Sequence, residues 1–246
     1  MSLPMDFQVK IFADGADKVG MLDMYQNPWI SGFTTNPTLM RKAGIADYET
    51  FARDILTYIP DRPISFEVFS DDFDEMYAQA LKIASWGDNV YVKIPVTNTE
   101  GHSAKSLIHE LAQEGVKQNV TALMTLSQVE EVTEALSEGP SAYISVFAGR
   151  IADTGVDPLP IMQTALEIMD RCPQLELIWA SPRELLNIIQ ANDIGCHIIT
   201  VTNDILKKLS LIGKDHTQYS LETVQMFRND ALSAGFTLRT DAAVEV

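Results

Sequence analysis

Short apolar runs and longer amphipathic stretches alternate along almost the whole chain. The apolar runs are rich in Val, Ile and Leu at consecutive positions, which is typical of strands buried on both faces of a parallel sheet. Eight such runs predict eight strands, at residues 9–13, 30–33, 64–68, 90–96, 116–123, 142–147, 175–180 and 197–201.

The stretches between these runs carry apolar residues at helical spacing. Ser70 and Ser127 are candidate capping residues, and Pro158 suits the first turn of a helix. The predicted helices lie at 47–58, 73–86, 103–113, 128–137, 158–171, 183–190 and 204–212, and a last one is clearest over 220–234.

Strand–helix alternation with one crossover per connection implies parallel strands. Eight such units close most naturally into a (β/α)8 TIM barrel, and 246 residues is a usual size for that α/β fold. The rival doubly wound sheet would want a glycine-rich first turn, and Asp-Gly-Ala-Asp at 14–17 is not one. We predict a single barrel domain over 1–246, with an extra C-terminal helix at about 217–234 and a polar tail.

Composition and charge set aside several classes of function. A net charge of −16 argues against nucleic acid or an anionic membrane as a partner. The chain shows no long apolar span and no basic–apolar leader, and Cys172 and Cys196 have no metal-ligand spacing, so we expect a cytoplasmic protein with reduced thiols. The four histidines form no H-x-x-x-H pair, and we expect no metal site.

Lys93 is the one charged residue in the apolar run at 89–96 (Asn-Val-Tyr-Val-Lys-Ile-Pro-Val). An ammonium group is rarely buried in such a strand without a partner or a purpose. Desolvation disfavours its charged form, and a neutral amine attacks carbonyl carbon. Lys93 is therefore the first candidate for chemistry. The alternative is a lysine whose stem packs on the strand while its ammonium reaches water.

Polar residues recur at the carboxyl ends of the predicted strands, where (β/α)8 barrels place their active sites. In chain order these residues are Asp14, Thr34, Thr35, Asn36, Glu67, Lys93, Asn119, Thr121, Arg150, Ser181, Arg183, Thr200 and Thr202. Taken singly, each has an ordinary alternative, such as a turn for Asp14 or a surface position for the arginines. Their recurrence favours a common site, in which the arginines would supply the local positive charge that an anionic substrate needs.

Six segments, in this order, resemble the transaldolase family, which includes the small fructose-6-phosphate aldolases. They are Ile-Phe-Ala-Asp at 11–14, Gly-Phe-Thr-Thr-Asn-Pro-Thr at 32–38, Val-Lys-Ile-Pro-Val-Thr at 92–97, Asn-Val-Thr at 119–121, Phe-Ala-Gly-Arg-Ile at 147–151 and Ala-Ser-Pro-Arg at 180–183. The resemblance covers roughly residues 8–235. It implies a TIM barrel of the class I aldolase type, which forms a Schiff base between a lysine and a ketose carbonyl and needs neither a metal nor an organic cofactor.

The resemblance also implies a role for each matching residue. Lys93 would be the Schiff-base lysine, and Asp14 would be the acid–base carboxylate that handles the hydroxyl proton during carbon–carbon cleavage. Glu67 and Thr121 would hold the water used in forming and hydrolysing the imine. The implied substrate-binding residues are Asn36, which also orients the lysine, together with Thr35, Asn119, Phe147 and a phosphate site of Arg150, Ser181 and Arg183.

Glu67 and Phe147 favour the transaldolase type within the family. Aldolase members tend to carry Gln and Tyr at these positions, and a phenolic hydroxyl near the enamine could donate a proton that favours release. The predicted enzyme is therefore a transaldolase that passes a three-carbon dihydroxyacetone unit from a ketose phosphate to an aldose phosphate, as in the pentose phosphate pathway. The alternatives are cleavage of fructose 6-phosphate that releases dihydroxyacetone, and a barrel that binds sugar phosphate without turnover.

The chain departs from the family pattern at Pro182, where an aromatic residue is usual, and at Thr38, where serine is common. Proline removes a backbone donor that could have faced phosphate. These departures bear on which sugars bind more than on the mechanism. A barrel aldolase of the deoxyribose-phosphate type would pair its catalytic lysine with a second lysine. This chain has no second lysine at a predicted strand end, because Lys207 and Lys208 lie in a helical pattern.

The C-terminal segment bears on assembly. Small members of the family form rings in which the C-terminal helix reaches a neighbouring subunit. Over residues 220–236, apolar residues recur at roughly helical spacing, namely Leu221, Val224, Phe227, Leu232 and Phe236. The resemblance implies a homo-oligomer, and packing of this segment on its own barrel is the alternative.

Overall fold

Eight parallel strands close into a barrel in which each strand pairs with the next in sequence and the last pairs with the first. The structure is a computed structural model that describes residues 7–238. The strands are β1 (Lys10–Asp14), β2 (Ile30–Thr34), β3 (Ile64–Glu67), β4 (Val90–Pro95), β5 (Gln118–Leu123), β6 (Ala142–Val146), β7 (Leu175–Trp179) and β8 (Ile198–Thr202). The predicted (β/α)8 barrel is confirmed, and each predicted strand overlaps an observed one.

Helices alternate with the strands along the chain, and further helical segments follow β8. They are α1 (Lys18–Tyr25), α2 (Pro37–Lys42), α3 (Tyr48–Tyr58), α4 (Phe73–Ala84), α5 (Lys105–Gln113), α6 (Leu126–Leu136), α7 (Ala148–Asp153), α8 (Leu159–Met169), α9 (Leu186–Asp193), α10 (Asn203–Leu206), a 3-10 helix (Lys207–Leu211) and α11 (His216–Ser233). The predicted helices are confirmed to within a few residues, except that the one predicted at 204–212 is the short α10 followed by a 3-10 helix. Pro158 directly precedes α8 as expected. The sequence pattern does not predict α1, α2 or α7. The last two have only six residues each, which is too short for a helical period to show.

Two predicted capping residues are wrong. Asp72, not Ser70, caps α4, because its carboxylate is the group that accepts a hydrogen bond from a backbone N–H of the first turn. Thr125, not Ser127, caps α6, where Thr125 and Gln128 form a reciprocal capping box. In both cases the helix is capped by a polar residue two positions away from the one predicted.

An aromatic cluster fills the interior of the barrel. Phe12 meets Tyr143 edge to face at 5.7 Å between ring centroids, and Tyr143 stacks on Tyr91 at 4.0 Å. Gly32 makes room for this cluster, because a Cβ at that position would lie 2.6 Å from the ring of Phe12. Phe147 packs against the same cluster and lines the cavity at the carboxyl ends of the strands. The cluster therefore forms a rigid floor for that cavity.

The C-terminal helix α11 confirms the predicted extra helix. Asp215 caps it by accepting a hydrogen bond from the backbone N–H of Gln218 at 2.8 Å. Residues 239–246 of the predicted polar tail lie outside the described residues, and the expected homo-oligomer stays a prediction. Within residues 7–238, no helix is long and apolar enough to cross a bilayer.

Candidate active site

A cavity of about 510 Å³ opens at the carboxyl ends of the strands. Ten of the eleven predicted site residues line it, namely Asp14, Asn36, Glu67, Lys93, Asn119, Thr121, Phe147, Arg150, Ser181 and Arg183. The eleventh, Thr35, is fully buried and contributes its backbone carbonyl. The barrel thus brings together residues that are spread over most of the chain.

Lys93 lies in β4 with only 7% of its surface exposed. Its Nζ donates a hydrogen bond to the carbonyl of Thr35 at 2.9 Å and lies 3.1 Å from Oε2 of Glu67. The ammonium is therefore held inside the barrel mouth by two partners instead of reaching bulk water. This arrangement argues against the surface alternative for Lys93.

Strand register accounts for the closeness of these groups. Glu67 in β3 pairs directly with Lys93 in β4, and Lys93 pairs with Asn119 in β5. Side chains at paired positions of neighbouring parallel strands point to the same face. The closed barrel therefore places this carboxylate, this amine and this amide side by side at its inner surface.

Asp14 ends β1 and faces Lys93 across the cavity mouth. Its Oδ1 accepts a hydrogen bond from Oγ1 of Thr34 at 2.8 Å, and Thr34 in turn bonds the hydroxyl of Thr200. Burial raises the pKa of the Asp14 carboxyl above its ordinary value, an effect that the nearby Lys93 charge and the Thr34 hydroxyl partly offset. A carboxyl with a raised pKa is suited to taking up and returning a proton.

Asn119 belongs to a buried polar layer inside the barrel. Its Nδ2 donates to Oγ of Ser65 at 2.9 Å, and its Oδ1 accepts from Oγ of Ser145 at 2.8 Å. Both ends of the amide thus have partners in the protein. A substrate hydroxyl would share these groups with the two serines, so the predicted hydroxyl-binding role of Asn119 stays a prediction.

Thr121 is set up differently, by an irregularity in β5. The register between β5 and β6 shifts between Val120 and Leu123, and Ala122 adopts a left-handed backbone with φ of 69°. Oγ1 of Thr121 is buried and has no hydrogen-bond partner among the described residues. Buried hydroxyls are normally satisfied, so this one is available to a water molecule or a substrate in the cavity.

Asn36 caps α2, and its Oδ1 accepts a hydrogen bond from the backbone N–H of Leu39 at 2.9 Å. This engagement leaves the amide Nδ2 for a ligand. In the described residues Lys93 is oriented by the carbonyl of Thr35 and the carboxylate of Glu67, and no hydrogen bond joins it to Asn36. The family resemblance implied that Asn36 orients Lys93. The role of the Thr35 carbonyl could not be predicted, because a backbone carbonyl is the same whatever the residue type.

Two arginines reach the cavity from α7 and the loop after β7. Arg183 binds Asp153 with two hydrogen bonds, from Nε at 2.8 Å and from Nη2 at 2.5 Å, and its Nη1 donates to Oγ of Ser181 at 2.9 Å. Arg150 lies over the ring of Phe147 at 5.5 Å and forms no ion pair within residues 7–238. The cluster formed by Arg150, Arg183 and Asp153 carries one net positive charge, which suits an anionic group.

Four residues that hold the site together had no predicted role, although Thr34 was among the residues expected on the rim. Thr34 holds Asp14, Ser65 and Ser145 hold Asn119, and Asp153 holds Arg183. Thr34 and Ser145 also line the cavity. Thr34 was expected at the rim as part of the Thr-Thr-Asn-Pro motif, whereas Asp153 looks like an ordinary charged helix residue in the sequence.

Comparison with known proteins gives a family match over most of the chain. The family model described as transaldolase/fructose-6-phosphate aldolase matches residues 11–244. The chain is 37% identical over 203 residues to the "Probable transaldolase" of Streptococcus equi subsp. zooepidemicus (strain MGCS10565), covering 82% of this chain and 90% of the relative. It is 36% identical over the same length, with the same coverage, to the "Probable transaldolase" of Streptococcus pyogenes serotype M5 (strain Manfredo).

Solved structures share the fold at much lower identity. A 2,3-dimethylmalate lyase, a member of the PEP mutase/isocitrate lyase superfamily, superposes with a TM-score of 0.55 at 11% identity, covering 98% of this chain and 93% of that one. The 3-keto-L-gulonate-6-phosphate decarboxylase of Vibrio cholerae O1 biovar El Tor str. N16961 gives 0.53 at 10% identity, covering 80% and 89%. At such identities the likeness concerns the barrel alone.

Proposed function

Because the chain belongs to the transaldolase/fructose-6-phosphate aldolase family, we propose that it transfers a dihydroxyacetone unit from a ketose phosphate to an aldose phosphate through a Schiff base on Lys93. The single observation that carries this proposal is the placement of the Lys93 amine inside the cavity, 3.1 Å from the Glu67 carboxylate. A barrel that only binds sugar phosphate needs no buried amine beside an acid–base group.

The reaction begins when the Lys93 ammonium gives a proton to the Glu67 carboxylate, 3.1 Å away, and the resulting amine adds to the ketose carbonyl. Proton transfer and loss of water then give an iminium ion. Glu67 lines the same cavity as Thr121, whose hydroxyl has no partner among the described residues. These positions support a role for both residues in holding that water, which returns when the imine is hydrolysed. The iminium draws electrons from the adjacent carbon and prepares the neighbouring carbon–carbon bond for cleavage.

Asp14 handles the proton in the cleavage step. Its carboxylate removes the hydroxyl proton, the carbon–carbon bond breaks, an aldose leaves, and the three-carbon fragment stays on Lys93 as an enamine. The enamine then adds to the carbonyl of an incoming aldose phosphate, and Asp14 returns the proton. The burial that raises the pKa of Asp14 supports this two-way role.

The lining of the cavity favours transfer over release. Phe147 occupies the wall, and none of the described residues that line the cavity is a tyrosine. Without a phenolic hydroxyl to donate a proton to the enamine, the fragment waits for an acceptor aldehyde. Arg150 and Arg183 support binding of the phosphate groups of donor and acceptor.

Borohydride trapping with fructose 6-phosphate tests the proposal. We expect a mass increment on the peptide that contains Lys93, and none in a Lys93→Met variant. Lys10→Met is the matched control. Lys10 starts β1, forms an ion pair with Glu176 and is not among the residues that line the cavity. Absence of the increment while the sugar phosphate still binds would refute the Schiff base and favour a non-catalytic binder.

The transfer step has its own test. With fructose 6-phosphate alone, we expect a trapped intermediate and little free dihydroxyacetone. Addition of an aldose phosphate such as erythrose 4-phosphate should start turnover. Steady release of dihydroxyacetone without any acceptor would contradict the transaldolase type and support the aldolase type.

A further inference from the structure

The end of β3, which carries Glu67, extends beyond the strand that should pair with it. Pairing between β2 and β3 covers Phe33 with Ile64 and Thr34 with Ser65. One more ladder bond follows, from the N–H of Thr35 to the carbonyl of Ser65 at 3.2 Å, and the chain then turns into α2. In a parallel ladder, the backbone N–H and C=O of every second residue point toward the same neighbouring strand. The backbone carbonyl of Ser65 points toward β2, so the N–H and C=O of Glu67 are the next pair that needs a partner on that side.

The hydroxyl of Tyr48 supplies both missing hydrogen bonds. It accepts from the backbone N–H of Glu67 at 2.7 Å and donates to the carbonyl of Glu67 at 2.9 Å. On the opposite edge of the strand, the N–H of Val68 bonds the carbonyl of Lys93 at 3.1 Å. The Tyr48 hydroxyl therefore takes the place of a backbone partner from β2. It holds the end of β3 on the edge opposite β4.

The ring of Tyr48 is itself firmly held. Tyr48 opens α3, and its ring meets Phe66 at 6.3 Å, Phe69 at 5.5 Å and Trp86 at 5.9 Å. Burial raises the pKa of the Tyr48 phenol, so the hydroxyl keeps its proton at neutral pH and stays a donor. The aromatic packing and the two hydrogen bonds fix one orientation of the phenol.

We propose that Tyr48 is a positioning residue for Glu67 and, through it, for the chemistry at Lys93. Tyr48 does not line the cavity, and its hydrogen bonds to Glu67 reach the backbone and not the carboxylate. Its hydroxyl sets the strand end so that the Glu67 carboxylate lies 3.1 Å from the Lys93 amine. The catalytic consequence rests on the function proposed above, whereas the geometric effect on Lys93 does not.

The Tyr48→Phe variant removes the hydroxyl and keeps the aromatic ring. The N–H and C=O of Glu67 then lose their partners, and the strand end with its carboxylate becomes mobile. We expect kcat to fall about tenfold to a hundredfold, because a misplacement of about 1 Å can cost about 10²-fold. KM should stay close to that of the wild type, because no group that lines the cavity has changed. Tyr58→Phe, at the other end of α3 with an exposed ring, is the matched control and should leave kcat and KM unchanged.

A double-mutant cycle separates positioning from general destabilisation. If Tyr48 acts through Glu67, Tyr48→Phe should add little to the defect of Glu67→Gln, so the two effects are far from additive. Additive effects, or an unchanged kcat in Tyr48→Phe, would overturn the inference. Loss of the folded state in Tyr48→Phe, seen by circular dichroism and thermal unfolding, would assign the hydroxyl to stability instead and would also overturn it.

A reagent that needs no sugar site keeps this test independent of the proposed function. Formaldehyde with cyanoborohydride forms and reduces an imine on any reactive amine, and the rate at Lys93 can be followed by peptide mass spectrometry. We expect Tyr48→Phe and Glu67→Gln each to change this rate severalfold in the same direction, with no further change in the double variant. If sugar phosphates never react with the wild type, the proposed function fails. The labelling rates alone then support the inference, or overturn it if Tyr48→Phe matches the wild type.

Discussion

The carbonyl oxygen of Ser181 would lie 1.6 Å from a Cβ placed on Gly149, so no residue with a side chain fits at position 149. Ser181 itself has a left-handed backbone with φ of 60°, and the N–H of Gly149 bonds the neighbouring carbonyl of Ala180 at 3.3 Å. The same close approach brings the guanidinium carbon of Arg183 to 3.5 Å from that Cβ position on α7. Strained backbone of this kind is typical of functional sites.

Gly149→Ala should therefore damage the phosphate-binding side of the cavity. The loop has to move, so we expect kcat/KM for phosphorylated ketoses to fall about tenfold to a hundredfold and stability to fall by about 1–3 kcal/mol. Borohydride trapping of dihydroxyacetone on Lys93 should persist, because that ligand has no phosphate. Ala152→Ser, an exposed change in the same helix, is the control. An unchanged kcat/KM would show that Ser181 and Arg183 do not contact the substrate.

The Asp153 carboxylate lowers the net positive charge of the cluster formed with Arg150 and Arg183. Hydrogen bonds from Arg183 and the charges of Arg183 and Arg150 hold the pKa of Asp153 below its ordinary value, so this carboxylate competes with any bound phosphate. Asp153→Asn removes that charge but keeps an acceptor for Arg183. We expect KM for a ketose phosphate to fall about twofold to fivefold at low ionic strength, with the gain shrinking as salt is added. Asp170→Asn, exposed at the end of α8, is the control, and a higher KM would show that Asp153 serves mainly to orient Arg183.

Asp14 should dominate the acid side of the pH profile. Since burial raises its pKa, the loss of kcat on acidification should be centred above the ordinary value of 3.8. Asp14→Asn should lower kcat by about 10²–10⁴ while a Schiff base still forms on Lys93. A variant that retains full kcat would remove Asp14 from the mechanism.

The same raised pKa predicts the direction of a stability effect. The folded state holds the Asp14 proton more tightly than the unfolded state does, so this stabilisation is present below the unfolded value of 3.8 and is lost as the pH rises through the folded pKa. We therefore expect Asp14→Asn to gain stability relative to the wild type as the pH rises through this window, measured by urea unfolding at several pH values. A difference that does not vary with pH would contradict this linkage.

His197 should make stability depend on pH in the opposite sense. Its Nδ1 accepts a hydrogen bond from the backbone N–H of Leu177 at 3.0 Å, and burial lowers the pKa of the imidazole below 6.5. The neutral form is favoured in the folded state, so this contribution is present above pH 6.5 and is lost as the pH falls through the lower, folded pKa. In urea unfolding, His197→Asn should reduce the loss of stability that accompanies a fall in pH. His102→Asn, at an exposed position, should not reduce it. Identical pH profiles for the wild type and His197→Asn would disprove the assignment.

The sequence by itself determined the barrel and most of the cavity lining. Apolar runs that alternate with helical patterns leave few other folds open, and strand ends in such a barrel converge on one rim. Lys93, Asp14 and Glu67 could therefore be named in advance. The short helices α2 and α7 and the caps at Asp72 and Thr125 were missed, because a six-residue helix or a shift of two positions leaves little trace in periodicity.

Only the tertiary structure decided how these groups are held. The carbonyl that orients Lys93 lies 58 residues away in the chain, at Thr35, and Asp153 lies 30 residues from Arg183. The phenol of Tyr48 reaches the backbone of Glu67 across 19 residues only because β2 ends one step early. Periodicity reports which face of an element is buried, but it carries no information on which backbone groups are left without a partner when the barrel closes.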